Sequence, residues 1–511
     1  MEKIFNTAKK NRLYCLYSFL FIFFLMSSFL FYYGKGFVNV LNLLGLLAIA
    51  LLAAPLLNMG FVWLSRLSYH GRAVKKARFV PLLYFFIMLI AQIPVYLAFY
   101  PGFIYYDIGT QIEQYDTRSF VTNHPLLHTL FMGFFKNLFE DANKGYALAT
   151  FLQLIIVDIC IAYVLSQLRN KCKSRLLPLL LAAFYGLNPL CSLLSISSTK
   201  DVIFSALLAV TVMDLIRLCK GEANRFVLPR MVLTGVLMLL MRSNAVYAFI
   251  PALIITLICY RKDKRILLHL GIYTACVLLL TCASDKLLIR ALDANSGSVK
   301  EMMSIPSQIM ARIYLESDDE ECRETVLKYI PEPEKYNYYI SDPIKEQLDF
   351  DTIDSQCKHF LLDCALCSLK HPLIAIDAVF YNTQGYWDLF HSPYQEEHHY
   401  LIRYDGYRGG AYLDSKNLPL LYKLCEHFML MDYEPYNLLA CFAQLGIYSW
   451  LTLFAFFKAL KDKNRQLYGS CLLMVFYMFT LLLGPSAIVR YGLGFVYMAP
   501  VLIMFVHHRV R

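Results

Sequence analysis

The sequence predicts an all-α polytopic membrane protein of about twelve transmembrane helices with a mainly helical soluble domain on one side. Three observations predict this. The chain of 511 residues is 58% hydrophobic and only 17% charged, with a mean hydropathy of +0.48, too apolar for a water-soluble chain of any number of domains. Apolar runs of roughly 20 residues, the length that spans a hydrocarbon core of about 30 Å, recur toward both ends. Between them lies one hydrophilic stretch, 284–435, that carries most of the acidic side chains, including the run Asp318, Asp319, Glu320, Glu321.

The first apolar run, Leu13 to Tyr33, is too long for a signal-peptide core and lacks a small-residue cleavage site, so it reads as a span. With the run after it, it forms a two-span N-terminal addition over 1–78. Lys and Arg then recur in short loops: Lys3, Lys9, Lys10, Arg12; Arg66, Arg72, Lys75, Lys76, Arg78; Arg169, Lys171, Lys173, Arg175; Arg217, Lys220, Arg225, Arg230; Arg261, Lys262, Lys264, Arg265; and Lys458, Lys461, Lys463, Arg465. The positive-inside rule places all of these in the cytoplasm. The net charge of +10 is therefore an orientation signal, and a nucleic-acid partner is not expected.

Parity sets the rest, because an even number of crossings separates two cytoplasmic loops. In the core, 79–283, Phe79 to Tyr100 crosses outward and Gly145 to Gln167 returns, which puts the loop 101–144 outside. Within that loop Pro125 to Phe139 is apolar but short and reads as an amphipathic helix on the outer surface. Leu176 to Ile196 goes out and Val202 to Leu218 comes back after "SSTKD". The apolar stretch that follows is interrupted by "MRSN", Met241 to Asn244, and resolves into two short helices, about Leu228 to Met241 and Ala245 to Tyr260, with Arg242 and Asn244 at the outer turn. A single tilted span with a buried Arg is the alternative, and it would invert every loop downstream. Ile266 to Ala283 leads out into the external domain, 284–435. Spans at Tyr436 to Phe457, Leu467 to Leu483 and Tyr491 to Val506 make up the last region, 436–511, with "HHRVR" and both termini cytoplasmic.

With this topology the unusual polar residues fall on one face: Asp107, His124, His128, Lys200, Asp201, Arg242, Asn244, Arg312 and Arg490. A bundle would let them converge in one cavity at the outer leaflet, with Tyr106 beside Asp107 in its wall. A carboxylate beside several fixed cations suits chemistry with a phosphate leaving group: the carboxylate takes a proton from an acceptor hydroxyl while Arg and Lys stabilise the departing charge. A donor with phosphate at headgroup level is a lipid-linked sugar, and such a leaving group needs little protonation, so one carboxylate suffices.

An aspartate in the first large external loop ("YPGFIYYD"), followed by juxtamembrane helices and "NHPLLH", resembles the GT-C superfamily of membrane glycosyltransferases, which includes protein O-mannosyltransferases and lipid A aminoarabinose transferases. In order, "YPGFIYYDIGTQIEQY", "TNHPLLHTL", "STKDVIFS", "LLMRSNAVYAFIP", "SIPSQIMARIY", "HPLIAIDAVFYNTQGYW" and "GPSAIVRYGLGFVYMAP" look like a bacterial family placed with these enzymes, from about Phe79 to Pro500. The resemblance implies a GT-C-like core in the cytoplasmic membrane with its site on the outer face. It implies Asp107 as catalytic base and Lys200, Asp201, Arg242 and Arg490 as contacts to the donor phosphate. Arg312 rests on the "SIPSQIMARIY" match alone. The implied partners are a polyprenyl-phosphate sugar, an envelope acceptor (polysaccharide, lipid or protein) and the bilayer. Ile108 follows Asp107 where the mannosyltransferase pattern has a second acid, so no cofactor is implied beyond an optional divalent cation.

Each feature also has a plainer explanation. Asp107 would serve as N-cap of the helix "IGTQIEQY", whose Ile108, Ile112 and Tyr115 share a face. Glu113 and Asp116 fit a solvated helix surface. His124 and His128 stand at metal-ligand spacing but lack a third ligand, while Lys200 with Asp201, and Arg490, fit interfacial anchors. Most of the fifteen cysteines sit in apolar runs; Cys364 and Cys367 form a C-x-x-C, but a zinc or redox role needs a second pair or a thioredoxin-like context that the sequence does not show, so the cysteines read as inert. Two other functions compete with glycosyl transfer: a lipid-carrier transporter or flippase, which would spread polar residues across the membrane, and an acyl- or phosphoglycerol transferase.

Overall fold

The structure, a computed structural model, describes residues 7–67, 78–104, 106–172, 174–390, 417–429 and 444–508. Outside them lie the basic residues Lys3, Arg72, Lys75, Lys76 and Lys173, residues 391–416 of the hydrophilic stretch, the start of the predicted span at Tyr436, and the end of "HHRVR". In chain order the main helices are α1 (Arg12–Tyr32), α2 (Val40–Arg66), α3 (Val80–Ala98), α4 (Tyr106–Thr117), α5 (Leu126–Lys136), α6 (Ala142–Cys172), α7 (Leu176–Leu187), α8 (Pro189–Ser195), α9 (Lys200–Cys219), α10 (Val227–Met241), α11 (Val246–Cys259) and α12 (Lys264–Ala291). They continue with α13 (Ser304–Glu316), α14 (Glu320–Leu327), α15 (Asp342–Lys345), α16 (Ser355–Lys370), α17 (Pro372–Thr383), α18 (Pro419–Met429), α19 (Leu445–Lys461), α20 (Tyr468–Leu481) and α21 (Leu493–His507). Among the described residues there is no strand, only three isolated bridges.

The chain is a helical membrane protein: 7 of the described helices are long and apolar enough to cross a bilayer, and up to 9 if each of two bent pairs counts as one span. One bent pair is α7–α8, which the sequence reading takes as a single straight span. It breaks by 63° because Asn188 precedes Pro189. The proline ring pushes Asn188 out of helical conformation, to φ −69° and ψ 116°, and the Asn188 side chain then caps α8 by accepting from Leu190 N at 3.0 Å. The two helices predicted around "MRSN" form as α10 and α11, joined by a short 3₁₀ turn, Ser243–Ala245. At 15 and 14 residues, both are shorter than an ordinary span.

The centre of the molecule is α9, buried along almost its whole length and packed by α6, α10, α20 and α21. Apolarity alone does not put it there, since α12 has the same hydropathy and is largely unburied; the buried polar side chains Ser205, Thr211 and Asp214 set α9 apart. It starts at Lys200 and ends beside Arg217 and Lys220; α10 begins by Arg230 and climbs back to Arg242; α11 descends to Arg261 and Lys262. The helix ends thus separate into a basic layer and a second layer that holds Lys200, Arg242 and Arg490.

The three bridges tie the loops of that second layer. Phe103 pairs with Ser197, with Phe103 N donating to Ile196 O at 3.0 Å and Ser198 N to Phe103 O at 2.9 Å, which fixes the approach to Asp107 against the approach to Lys200. Val121 pairs with Asn295 just before His124. Ile340 pairs with Ser486 just before Arg490, and there Asn382 Nδ2 also donates to Gly484 O at 3.0 Å. The helical unit α13–α17 has its own core around Met310, Ile313, Val326, Phe350 and Phe360. It holds the N-terminal hairpin through Asp377, which accepts from Phe37 N and from Arg312.

Gly102 has a φ of +98°, and a Cβ there would sit 2.7 Å from Ile196 O and 2.8 Å from Thr150 Oγ1. Gly102→Ala is expected to destabilise the protein by about 1–3 kcal/mol, read as a lower unfolding midpoint in detergent with helix content retained. A midpoint unchanged from wild type would show that the Phe103 bridge does not constrain this loop.

Candidate active site

The segment after the Phe103 bridge turns straight into α4. Ile108 and Ile112 bury one face against Met132 of α5 and Tyr146 of α6, while Glu113 and Asp116 are exposed; Asp116 accepts from Lys136 Nζ and Asn137 Nδ2, both at 2.8 Å, and so pins α4 to α5. Asp107 falls in the first turn of α4 rather than at its cap. There the positive end of the helix dipole favours a carboxylate, but its side chain turns to charges from elsewhere. Arg490 NH1 lies 3.0 Å from Asp107 Oδ2 and Lys200 Nζ lies 4.0 Å from the same oxygen.

Lys200 and Asp201 open α9, with Thr199 as N-cap accepting from Asp201 N. The two do not form a mere local pair. Lys200 Nζ donates to His124 Nδ1 at 3.2 Å, whereas Asp201, fully buried, accepts from Arg242 NH1 and faces Arg490 Nε at 3.6 Å. Arg242 stands at the C-terminus of α10, where a cation suits the helix dipole, and stacks on the ring of Tyr491 at 4.7 Å. Arg490, only 1% exposed, also donates to Thr199 Oγ1 at 3.2 Å and to the Tyr491 hydroxyl at 3.1 Å.

Five charges from four distant segments, Asp107, Lys200 with Asp201, Arg242 and Arg490, thus form one continuous network. Three cations face two carboxylates, a surplus of one positive charge in a buried layer. Burial alone would raise the Asp107 carboxyl; Arg490 and Lys200, with His124 adding, overcome this and hold it well below the usual carboxylate range. Burial, and then the Lys200 charge, push the His124 imidazole down to about 4. His124 is therefore neutral at physiological pH, which leaves Nδ1 free to accept the hydrogen bond from Lys200.

The remaining predicted residues lie as follows. His128 is fully buried and pairs through Nδ1 with Gln111 Oε1 at 2.7 Å, so the two histidines engage different partners. Its imidazole is pushed down to about 3 by burial, then by Lys200. Asn244 is exposed on the turn after Arg242. Arg312 stands apart, bound to Asp377 at 2.8 Å and Glu316 at 3.2 Å, its guanidinium 4.6 Å from the ring of Tyr338. Tyr106 opens α4, but its side chain lies outside the described residues.

Sequence reasoning missed Thr199 and Tyr491, which stand beside residues it picked. The cap pattern "STKD" was the available signal for Thr199; nothing local marks Tyr491. It also missed Asp158, buried midway along α6 with neither carboxylate oxygen hydrogen-bonded among the described residues.

This chain belongs to a family described as a family of unknown function (DUF6020), whose model matches residues 112–511. The match begins just after Asp107 and takes in His124, Lys200, Asp201, Arg242, Arg312 and Arg490. No curated protein and no solved structure matches the chain.

The two histidines set the acid response. Both have folded pKa values below the unfolded value of about 6.5, so stability is present above that value and falls as pH drops from about 6.5 toward about 4 for His124 and about 3 for His128. The charge of Asp107 is lost only at still lower pH. For His128 the slope approaches about 1.4 kcal/mol per pH unit. Thermal melts in detergent are expected to flatten over this window in His128→Gln; an unchanged slope would remove His128 as its source.

Proposed function

We propose that this member of the family is an inverting glycosyltransferase that moves a sugar from a polyprenyl-phosphate donor to an acceptor on the outer face of the cytoplasmic membrane, with Asp107 as general base. The observation that carries the reading is the convergence of Asp107 with Arg490, Lys200, Asp201 and Arg242 in one buried network with a net positive charge. Such a surplus beside a carboxylate fits an anionic leaving group. The network lies at the helix ends opposite the Arg- and Lys-rich loops, so the positive-inside rule puts it at the outer leaflet, with about twelve spans and both termini cytoplasmic.

The chemistry follows from the atoms available. Both cations bear on Asp107 Oδ2, which leaves Oδ1 to meet the acceptor hydroxyl. That hydroxyl oxygen attacks the anomeric carbon from the face opposite the phosphate and forms the new C–O bond. The bond from the anomeric carbon to the phosphate oxygen breaks, its electron pair leaves with the phosphate, and the hydroxyl proton passes to Asp107. Donor phosphate competes with Asp107 for Arg490 and Lys200, so its arrival loosens the ion pairs that depress the basicity of the carboxylate. Arg242, stacked on Tyr491 and held by Asp201, supplies a planar guanidinium suited to phosphate oxygens.

One observation favours a second reading as a lipid-carrier transporter. Asp158 is an intramembrane carboxyl with no hydrogen-bond partner among the described residues, the kind of group that marks a path across a membrane. Asp158→Asn separates the two, since it should stop transport and spare transfer.

Purified protein incubated with defined polyprenyl-phosphate sugars, with and without EDTA, tests donor class and metal dependence together. Asp107→Asn is expected to lower sugar transfer by about 10²–10⁴-fold while the protein stays folded and membrane-inserted. Transfer at the wild-type rate in that variant would sink the assignment. Arg242→Gln should weaken use of the phosphate-linked donor and leave the unfolding midpoint less affected than Arg490→Gln, because Arg490 is the more buried and bridges both carboxylates.

A further inference from the structure

A second cluster of chemistry-bearing side chains lies far from Asp107, in the unit α13–α17. Asp319 caps α14 and accepts from Cys322 N through Oδ1 at 3.1 Å, which leaves Oδ2 facing His371 Nε2 at 3.0 Å. Asp319, Cys322 and His371 present ligand atoms that all lie within 4.8 Å of one another. Cys367 neighbours Cys322 from the facing helix, with its thiol outside that 4.8 Å group, and both cysteines are buried, at 1% and 5% exposure. Asp319 and His371 are about a quarter exposed, which gives an ion a way in.

From this geometry we propose that Asp319, Cys322, Cys367 and His371 form a structural zinc site. Two thiols, one imidazole and one carboxylate make the mixed sulfur, nitrogen and oxygen set that a borderline-soft, four-coordinate cation takes. Tetrahedral zinc, with bonds of about 2.0–2.3 Å, holds its ligand atoms about 3.3–3.8 Å apart. Asp319, Cys322 and His371 need only small shifts to reach this, and Cys367 would swing in from the facing helix as the fourth ligand. The spacing is that of paired ligand strings, D-x-x-C at the start of α14 and C-x-x-x-H at the end of α16. The C-x-x-C of Cys364 and Cys367 is incidental: Cys364 turns to Pro306 O, and Cys367 finds its partner in another helix.

The ion would clip α14 to the end of α16 at the point where the chain bends by 112° into α17. That bend places two contacts, the second of them next to the first site. Asp377 of α17 holds Arg312 and Phe37 N, and the Tyr386 hydroxyl beyond it donates to Ser486 O, close before Arg490. The zinc would act by holding a hinge rather than by touching substrate, so the site stands or falls independently of sugar transfer.

Full-length protein produced with added zinc and purified in detergent without chelator is expected to carry about one zinc per chain by elemental analysis. Cobalt added to chelator-stripped protein should give a thiolate-to-metal charge-transfer band and the intense visible bands of tetrahedral coordination. Asp319→Asn keeps a good helix cap but a poor ligand, so it should fold and lose most of its zinc, with occupancy falling at least several-fold after dialysis. His371→Ala should do the same, and Cys322→Ser with Cys367→Ser should abolish the cobalt–thiolate band. Cys471→Ser, far from the cluster, should leave zinc content unchanged. Wild-type protein that takes up neither zinc nor cobalt overturns the proposal, as does a Cys322–Cys367 disulfide in freshly purified protein or full zinc retention by both Asp319→Asn and His371→Ala.

Discussion

Everything at the site end of the molecule depends on the mutual compensation of five buried charges. A charge left alone inside a helical bundle costs several kcal/mol, so each of Asp107, Lys200, Asp201, Arg242 and Arg490 constrains where the others stand. Arg490 is the keystone, because among the described residues it alone pairs with both carboxylates, Asp107 at 3.0 Å and Asp201 at 3.6 Å. Its segment comes last in the chain and Asp107 nearly first, so this one contact closes the bundle across 383 positions of sequence.

Charge pairing alone would not set distances; the backbone does. The Phe103–Ser197 bridge brings the approaches to Asp107 and Lys200 together, and the Ile340–Ser486 bridge anchors the approach to Arg490 on the helical unit. Between them α9 provides a rigid axis whose first turn carries both Lys200 and Asp201. The network is therefore held by fixed helix ends and short loops, the arrangement in which cations are preorganised for an anion instead of being gathered by it. Its charges are satisfied internally with one cation in surplus, so under the proposed function an arriving phosphate would be met by attraction and would also displace an existing partner, coupling binding to exposure of the carboxylate.

The unit α13–α17 joins this layer by contacts with a different logic. Arg312, which motif order placed with the donor-phosphate residues, instead pairs with Asp377 while its guanidinium lies against the rings of Tyr336, Tyr338 and Tyr381. Asp377 in turn receives the backbone of Phe37, so the N-terminal hairpin is docked through a salt bridge inside the helical unit.

Much of this was legible in the sequence. Apolar length and basic loops determined that the chain is a helical membrane protein, and the interruption at "MRSN" determined a helix pair turning at Arg242. A charged residue at that depth has no comfortable alternative, and for the same reason Lys200, Asp201 and Arg490 stood out. What the sequence could not determine was pairing. Nothing local says that Asp201 turns to Arg242 and Arg490 while its neighbour Lys200 turns to Asp107 and His124, or that Cys367 lies beside Cys322 of another helix. Nor does it say that Arg312 belongs to Asp377. Hydropathy and charge are properties of single positions and survive reading one residue at a time; a buried ion pair is a relation between positions, and only the packed helices, with water excluded, decide which charge has to answer which.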